Sequence, residues 1–202
     1  MDIKHIYVAK TKEEAVEQAI NELNCKEQDL IINEREKKQS LFSSKKIEIE
    51  VYKKQDIIDE VNNFLINTTR LMGIDTQIEI KIRDNTVSMR MFSNHNPILI
   101  GKNGQTLSAF QTIIKQMLLV KYNIKLNIVL DVENYKAKQL KKLEILSVKT
   151  AKEVARTKIE AKMDPMNSYQ RRIVHNTVAK FNNVYTESIG EEPNRCIVIK
   201  PK

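Results

Sequence analysis

Two glycines three positions apart, Gly101 and Gly104, are the feature that most constrains how this 202-residue chain folds. The whole chain has four glycines, so the pair does not arise from a glycine-rich composition. A short apolar turn that opens at Pro97 precedes it. After it, apolar residues recur at the three- and four-residue spacing of a helix with one buried face: Leu107, Phe110, Ile113, Ile114, Met117 and Leu118. The pattern predicts two helical pieces joined by a Gly-Lys-Asn-Gly loop.

The predicted loop is suited to an anion. Without a Cβ at Gly101 and Gly104, a sugar–phosphate backbone can approach the main chain closely. The N–H groups that open the second helix favour negative charge, and Lys102 adds a cation. A GxxG pattern alone also fits an ordinary turn between helices, but the basic, polar Lys102-Asn103 spacer favours a functional loop. A helix–GxxG–helix unit that holds a single strand by its backbone is typical of a KH domain.

The periodicity around the loop predicts an α+β fold for residues 53–133. A helix covers 55–72 and ends at Gly73, a hairpin has strands at 78–82 and 87–92 with a turn at 84–85, and a strand closes the unit at 124–132. The resulting order, α-β-β-α-α-β, is that of a type II KH domain. Ile98 and Ile100 are predicted to support the floor of its binding groove.

Residues 1–52 are predicted to form a small β-α-β-β module. Residues 3–9 form a strand, Thr11 caps a helix, and strands follow at 29–33 and 47–52. Leu41 and Phe42 interrupt a polar stretch, either as an exposed contact tip or, as we prefer, as a core plug.

The excess positive charge lies in residues 134–202, which carry 15 basic and 7 acidic side chains of a chain with net charge +8. A polyanion partner or a solvated lysine-rich surface would both explain it. A basic helix is predicted over 134–159, a short strand over 159–163, a helix over 168–181, and strands at 185–188 and 196–199. The buried stripe of the basic helix is predicted to be Leu140, Leu143, Leu146, Ala151 and Val154.

Arg171 and His175 are four residues apart, so they project from one face of the predicted 168–181 helix, next to Arg172. Arginine offers a forked cation to phosphate, and histidine can donate, accept or carry charge. The pattern favours a nucleic-acid contact; the alternative is a core-edge His175 beside an ordinary surface Arg171.

Several classes of protein do not fit the sequence. It has no apolar run long enough to span a membrane and no secretory signal, and Cys25 and Cys196 match no metal or redox spacing. The three histidines are scattered and no catalytic motif occurs, so an enzyme is the least favoured function. No metal or other cofactor is predicted.

Three stretches, at 96–107, 169–175 and 188–195, resemble the bacterial Jag family, also called KhpB or EloR. The resemblance covers the whole chain and implies three domains in tandem: a Jag N-terminal domain at 1–52, a type II KH domain at 53–133, and an R-three-H domain at 134–202, which begins with the long basic helix. The family's N-terminal loop usually contains glycines, which residues 37–44 lack.

The resemblance implies a cytoplasmic protein that binds single-stranded RNA and regulates genes after transcription, in a family linked to cell elongation, division or sporulation. It implies a small KH-only (KhpA-like) partner bound through the KH domain, and a functional link to a YidC/SpoIIIJ-type insertase. The predicted RNA contacts are Gly101, Lys102, Asn103 and Gly104, then Arg171, Arg172 and His175. The alternatives are an adaptor or scaffold at the cell envelope that dimerises through the KH surface, homo-oligomers included, and a single-stranded DNA binder.

Overall fold

The computed structural model describes residues 3–35, 46–83 and 86–202. The chain is a mixed α+β protein, as predicted, and it divides into two compact units, Met1–Glu133 and Asn134–Lys202. The predicted turn at 84–85, Leu41, Phe42 and the rest of the 37–44 loop lie outside the described residues.

The first half of unit 1 has the predicted β-α-β-β order. Its elements are β1 (His5–Ala9), α1 (Lys12–Leu23), β2 (Leu30–Arg35) and β3 (Ile47–Lys53). The side chain of Thr11 accepts a hydrogen bond from the backbone N–H of Glu14, which confirms the predicted helix cap. The strands form an antiparallel sheet in the order β1-β3-β2, and α1 packs its apolar stripe onto one face.

The second half of unit 1 has the predicted α-β-β-α-α-β order. Its elements are α2 (Lys54–Leu71), β4 (Gln77–Arg83), β5 (Thr86–Phe92), α3 (Asn96–Ile100), α4 (Gln105–Tyr122) and β6 (Asn127–Val132). The strand order is β4-β5-β6, with β4 antiparallel and β6 parallel to β5. Because parallel neighbours need a crossover connection, α3 and α4 lie between β5 and β6 in the chain and pack on β6.

The two halves of unit 1 meet without a linker, since β3 ends at Lys53 and α2 begins at Lys54. The rings of Tyr52 and Tyr122 pack edge to face with centroids 5.5 Å apart. Asn33 Nδ2 donates to the Tyr122 carbonyl at 2.9 Å. The end of α4 is therefore held against the N-terminal sheet.

Unit 2 packs two helices on a second small sheet. Its elements are α5 (Tyr135–Thr157), β7 (Ala161–Lys162), α6 (Ser168–Val178), β8 (Val184–Ile189) and β9 (Cys196–Pro201). The sheet is antiparallel in the order β7-β9-β8, so β8 is an edge strand. Its core combines Ala151 and Val154 of α5, Val174 and Val178 of α6, and Ile199.

The predicted stripe of α5 is wrong at Leu146, which is 50% exposed. Ser147 takes the buried position instead and donates to the Leu143 carbonyl at 2.7 Å. Since successive helical residues point about 100° apart, a core-facing Ser147 turns Leu146 toward solvent. The strand predicted at 159–163 shrinks to two residues, and α6 ends at Val178, three residues before the predicted end.

We expect Glu60 of α2 to make a pH-dependent contribution to the free energy of unfolding. Burial raises the pKa of its carboxylate, but hydrogen bonds from Lys121 and Tyr122 outweigh burial and leave the pKa below its ordinary value. A carboxylate with a lowered folded pKa stabilises the fold above its unfolded pKa of about 4.3, and this contribution is lost as the pH falls through the folded value. Urea unfolding of wild type and Glu60→Gln should therefore differ most near neutral pH and converge in acid.

Tyr122→Phe removes one of the donors to Glu60 and serves as the matched variant. In the Tyr122→Phe background, the loss of unfolding free energy caused by Glu60→Gln at neutral pH should be smaller than in wild type. A wild-type advantage over Glu60→Gln that stays constant or grows toward acid pH would contradict this account.

Candidate nucleic-acid interface

The loop between α3 and α4 has the predicted helix–GxxG–helix geometry. Pro97 lies in the first turn of α3, where its fixed φ is tolerated, and a short 3-10 turn, Lys102–Gly104, leads into α4. Gly101, Asn103 and Gly104 all have positive φ, at 71°, 54° and 84°. These three residues end α3 at Gly101 and allow α4 to begin after Gly104.

Gly101 has a structural role that its spacing does not reveal. Its φ of 71° and ψ of 179° belong to a region occupied almost only by glycine. A Cβ on Gly101 would also lie 2.9 Å from the backbone nitrogen of Thr106 and overlap the Thr106 side chain. The absence of a side chain at Gly101 is thus required by packing inside the loop.

The tip of the loop is open to solvent. Lys102 and Asn103 are exposed, while Leu99 is fully buried and anchors α3. No side chain caps the N-terminus of α4, and its first turn has no acidic residue. The first-turn N–H groups and Lys102 therefore present positive potential to an incoming anion.

The apolar residues predicted to support the groove differ in exposure. Ile98 is 52% exposed and Ile100 is half-buried. Both belong to α3, directly before the loop, so an apolar surface adjoins the exposed Lys102-Asn103 tip.

The Arg-x-x-x-His pair lies on α6, as predicted. A capping box begins this helix: Asn167 accepts from the Gln170 N–H at 3.0 Å, and the Gln170 side chain accepts from the Asn167 N–H at 3.1 Å. Arg172 and His175 are exposed, and His175 Nδ1 lies 2.6 Å from the Thr186 hydroxyl on β8. Imidazole and hydroxyl thus fix each other at the edge of the sheet.

Arg171 is engaged inside the protein. Its side chain is 13% exposed, and its Nη1 donates to the Glu192 carboxylate at 2.7 Å and to the Met166 carbonyl at 2.8 Å. A phosphate that contacts Arg171 would have to share this guanidinium with Glu192. The motif alone carried no signal of Glu192, because the two residues are 21 positions apart in the chain.

The structure adds a residue that the spacing argument did not single out. Arg195 is exposed, and its Nε donates to the Ser188 hydroxyl at 3.0 Å. Ser188 and Thr186 are two positions apart on β8, so they lie on the same face of the sheet. His175 and Arg195 are therefore held by two hydroxyl groups that are two positions apart on β8.

The solvent-facing side of α5 is basic over most of its length. Its exposed cations include Lys141, Lys142, Lys149, Lys152 and Arg156. Within the described ranges, no three or more His, Cys, Asp or Glu side chains are grouped so that they could bind a metal ion. None of the described helices has the length and apolar character that a membrane crossing requires.

Family models match the parts of the chain that carry the two motifs. A KH domain model matches residues 60–137, and an R-three-H domain model matches residues 141–201. The chain is therefore a tandem KH and R-three-H protein.

Similar chains extend over nearly the whole sequence. A protein of Clostridium symbiosum named RNA-binding protein KhpB is 33% identical over 199 residues, which is 96% of this chain and 90% of the relative. The protein of the same name from Bacillus subtilis (strain 168) is 30% identical over 197 residues, 94% of each chain. A third, from Lactiplantibacillus plantarum, is 27% identical over 68% of this chain and 42% of its own length. The chain belongs to the KhpB, or Jag, family.

The loop geometry predicts that Gly101→Ala destabilises unit 1 strongly. A left-handed or glycine-only conformation costs a residue with a Cβ roughly 1–3 kcal/mol, and at Gly101 the overlap with Thr106 adds to it. Gly73→Ala is the matched control, because Gly73 also has positive φ, at 77°, but a Cβ there meets nothing within 4 Å. Urea unfolding should show a larger loss for Gly101→Ala; equal losses would refute the role of Thr106.

Proposed function

We propose that this chain binds single-stranded RNA at two surfaces and acts as a post-transcriptional regulator. The observation that carries the proposal is the exposed Lys102-Asn103 tip before the uncapped N-terminus of α4, in a chain whose relatives are named RNA-binding proteins. We further propose three functional domains, at 1–52, 53–133 and 134–202.

The first contact is made by the GxxG loop. The main chain at Gly101–Gly104 and the cation of Lys102 hold the sugar–phosphate backbone, and Ile98 and Ile100 support the bases beside it. Phosphate contacts fix the register of the strand, whereas base edges supply any sequence preference.

The second contact is made by the R-three-H domain. Arg172 and His175 are exposed on α6, Arg171 adjoins them, and the basic side of α5 adds further cations. Two weak contacts on one chain raise the overall affinity, because the second forms at a high effective concentration once the first is made.

We propose from the family resemblance that the chain has a regulatory role and a cytoplasmic location, binds a KH-only partner and is linked to a YidC/SpoIIIJ-type insertase.

A second candidate function, a protein adaptor that pairs or dimerises through the KH surface, has one specific observation in its favour. Ile113 and Val120 lie two turns apart on α4 and are 48% and 82% exposed. RNA crosslinking in cells separates the two functions, since a pure adaptor leaves no RNA footprint, and competition with single-stranded DNA tests the remaining alternative.

The double variant Lys102→Asp, Asn103→Asp should lose RNA affinity by about tenfold or more, because each added carboxylate repels a phosphate by roughly 1 kcal/mol or more. Both side chains are exposed, so the variant should keep the wild-type urea midpoint. Fluorescence anisotropy with a labelled single-stranded RNA measures the loss.

The matched control is Lys26→Asp with Asn63→Asp, which makes the same change in charge at exposed positions of unit 1 outside the loop. Equal affinity losses in the two double variants would show that the loop affects RNA binding only through the net charge of the protein.

The proposed phosphate contacts also predict a salt dependence. Log affinity should fall linearly with log salt concentration, with a slope of about 0.7 per phosphate contact for a single strand. The titration is done with wild type and with the loop double variant, whose slope should be smaller. A flat dependence in wild type would rule out phosphate contacts as the basis of binding.

A further inference from the structure

Unit 2 contains an exposed guanidinium beside the Arg-x-x-x-His pair that the motif does not include. Arg195 lies at the start of β9, and its Nε donates to Ser188 Oγ at 3.0 Å. That one bond leaves the two terminal nitrogens of its guanidinium to other partners. Among the described residues, Arg195 makes no ion pair.

The position of Arg195 relative to His175 follows from the register of the sheet. His175 Nδ1 lies 2.6 Å from Thr186 Oγ1, and Arg195 is held by Ser188, two residues further along β8. Two residues of extended strand span about 7 Å. Both anchors lie on the face that carries α6, at the free edge of the sheet, so imidazole and guanidinium can meet successive phosphates of one strand.

Arg171 hydrogen-bonds to the residues that hold the backbone of Arg195 in place. Its Nη1 bridges the Met166 carbonyl and the Glu192 carboxylate, while the Met166 N–H donates to the Arg195 carbonyl at 3.1 Å. The Asn194 N–H donates to the Glu191 carbonyl at 2.8 Å, and this bond closes the turn from Glu191 to Asn194 that precedes Arg195. The Arg171 side chain, which is 13% exposed, thus hydrogen-bonds to Met166 and to Glu192, and these two residues belong to the segments that position Arg195.

We propose that Arg195 is an RNA-phosphate ligand beside His175, and that Arg171 is the positioning residue that holds the 190–195 loop. The inference rests on the proposed function, single-stranded RNA binding. It assigns the phosphate contact to the exposed Arg195, which makes no ion pair with any described residue, and it gives the motif arginine, Arg171, a structural role through its pair with Glu192.

The test measures the affinity of the 202-residue chain for a labelled single-stranded RNA oligonucleotide over a range of salt concentrations. Arg195→Ala should weaken binding about tenfold and lower the slope by about 0.7, the value of one phosphate contact. Lys162→Ala is the matched control: it removes one exposed cation from β7, at the opposite edge of the same sheet, and should change affinity less than twofold. Arg195→Lys keeps the charge and should lose less than Arg195→Ala.

The role of Arg171 is tested by a double-mutant cycle. If Arg171 acts through Arg195, the variant Arg171→Ala, Arg195→Ala lowers the slope by about 0.7, no more than Arg195→Ala alone; two independent phosphate ligands would lower it by about 1.4. A fall of about 1.4 in the slope of the double variant would show that Arg171 is itself a phosphate ligand, which would overturn its assignment as a positioning residue.

The outcomes separate the inference from the function on which it rests. If wild type fails to bind RNA, the proposed function is wrong. If wild type binds RNA, and Arg195→Ala and Arg195→Lys retain the wild-type affinity and slope while Arg172→Ala or His175→Ala loses affinity, the function stands and the inference about Arg195 falls. Circular dichroism of each variant establishes that it is folded.

Discussion

The parallel pairing of β5 with β6 is the constraint on which the position of the Gly101–Gly104 loop depends. Parallel neighbours cannot be joined by a tight turn, so the chain has to cross from the end of one strand to the start of the other. The crossover here is folded into α3 and α4, which pack on each other and on β6. A short loop joins the two helices, and Lys102 and Asn103 are exposed at its tip.

Residues that define the two motifs also hold the structure together. Gly101 lacks a side chain because Thr106 occupies the space, and Arg171 joins Glu192 to the Met166 carbonyl. Substitution of either residue therefore disturbs the packing of its own loop or helix. The exposed residues Lys102 and Arg172 can be changed with much less effect on packing, which makes them better probes of RNA binding.

Short-range periodicity predicted most of the fold. The α-β-β-α-α-β order, the Thr11 cap and the helix–GxxG–helix unit were all read from patterns that span fewer than 20 residues, because local propensity and one-sided burial act at that range. Apolar spacing wrongly predicted a buried Leu146, because it carries no sign that the small, polar Ser147 faces the core. The start of α6 at Ser168 was predicted, but its end at Val178 and the shortness of β7 depend on tertiary contacts that periodicity does not encode.

By itself the amino-acid sequence determined the α+β class, the order of the elements, the Gly-Lys-Asn-Gly loop and the surplus of cations after residue 134. Only the tertiary structure decided which of those cations are paired and which are exposed. Ion pairs and hydrogen bonds join residues that are far apart in the chain, so the pairing of Arg171 with Glu192 and the bonds of His175 and Arg195 to hydroxyl groups of β8 arise only when β8, β9 and α6 come together.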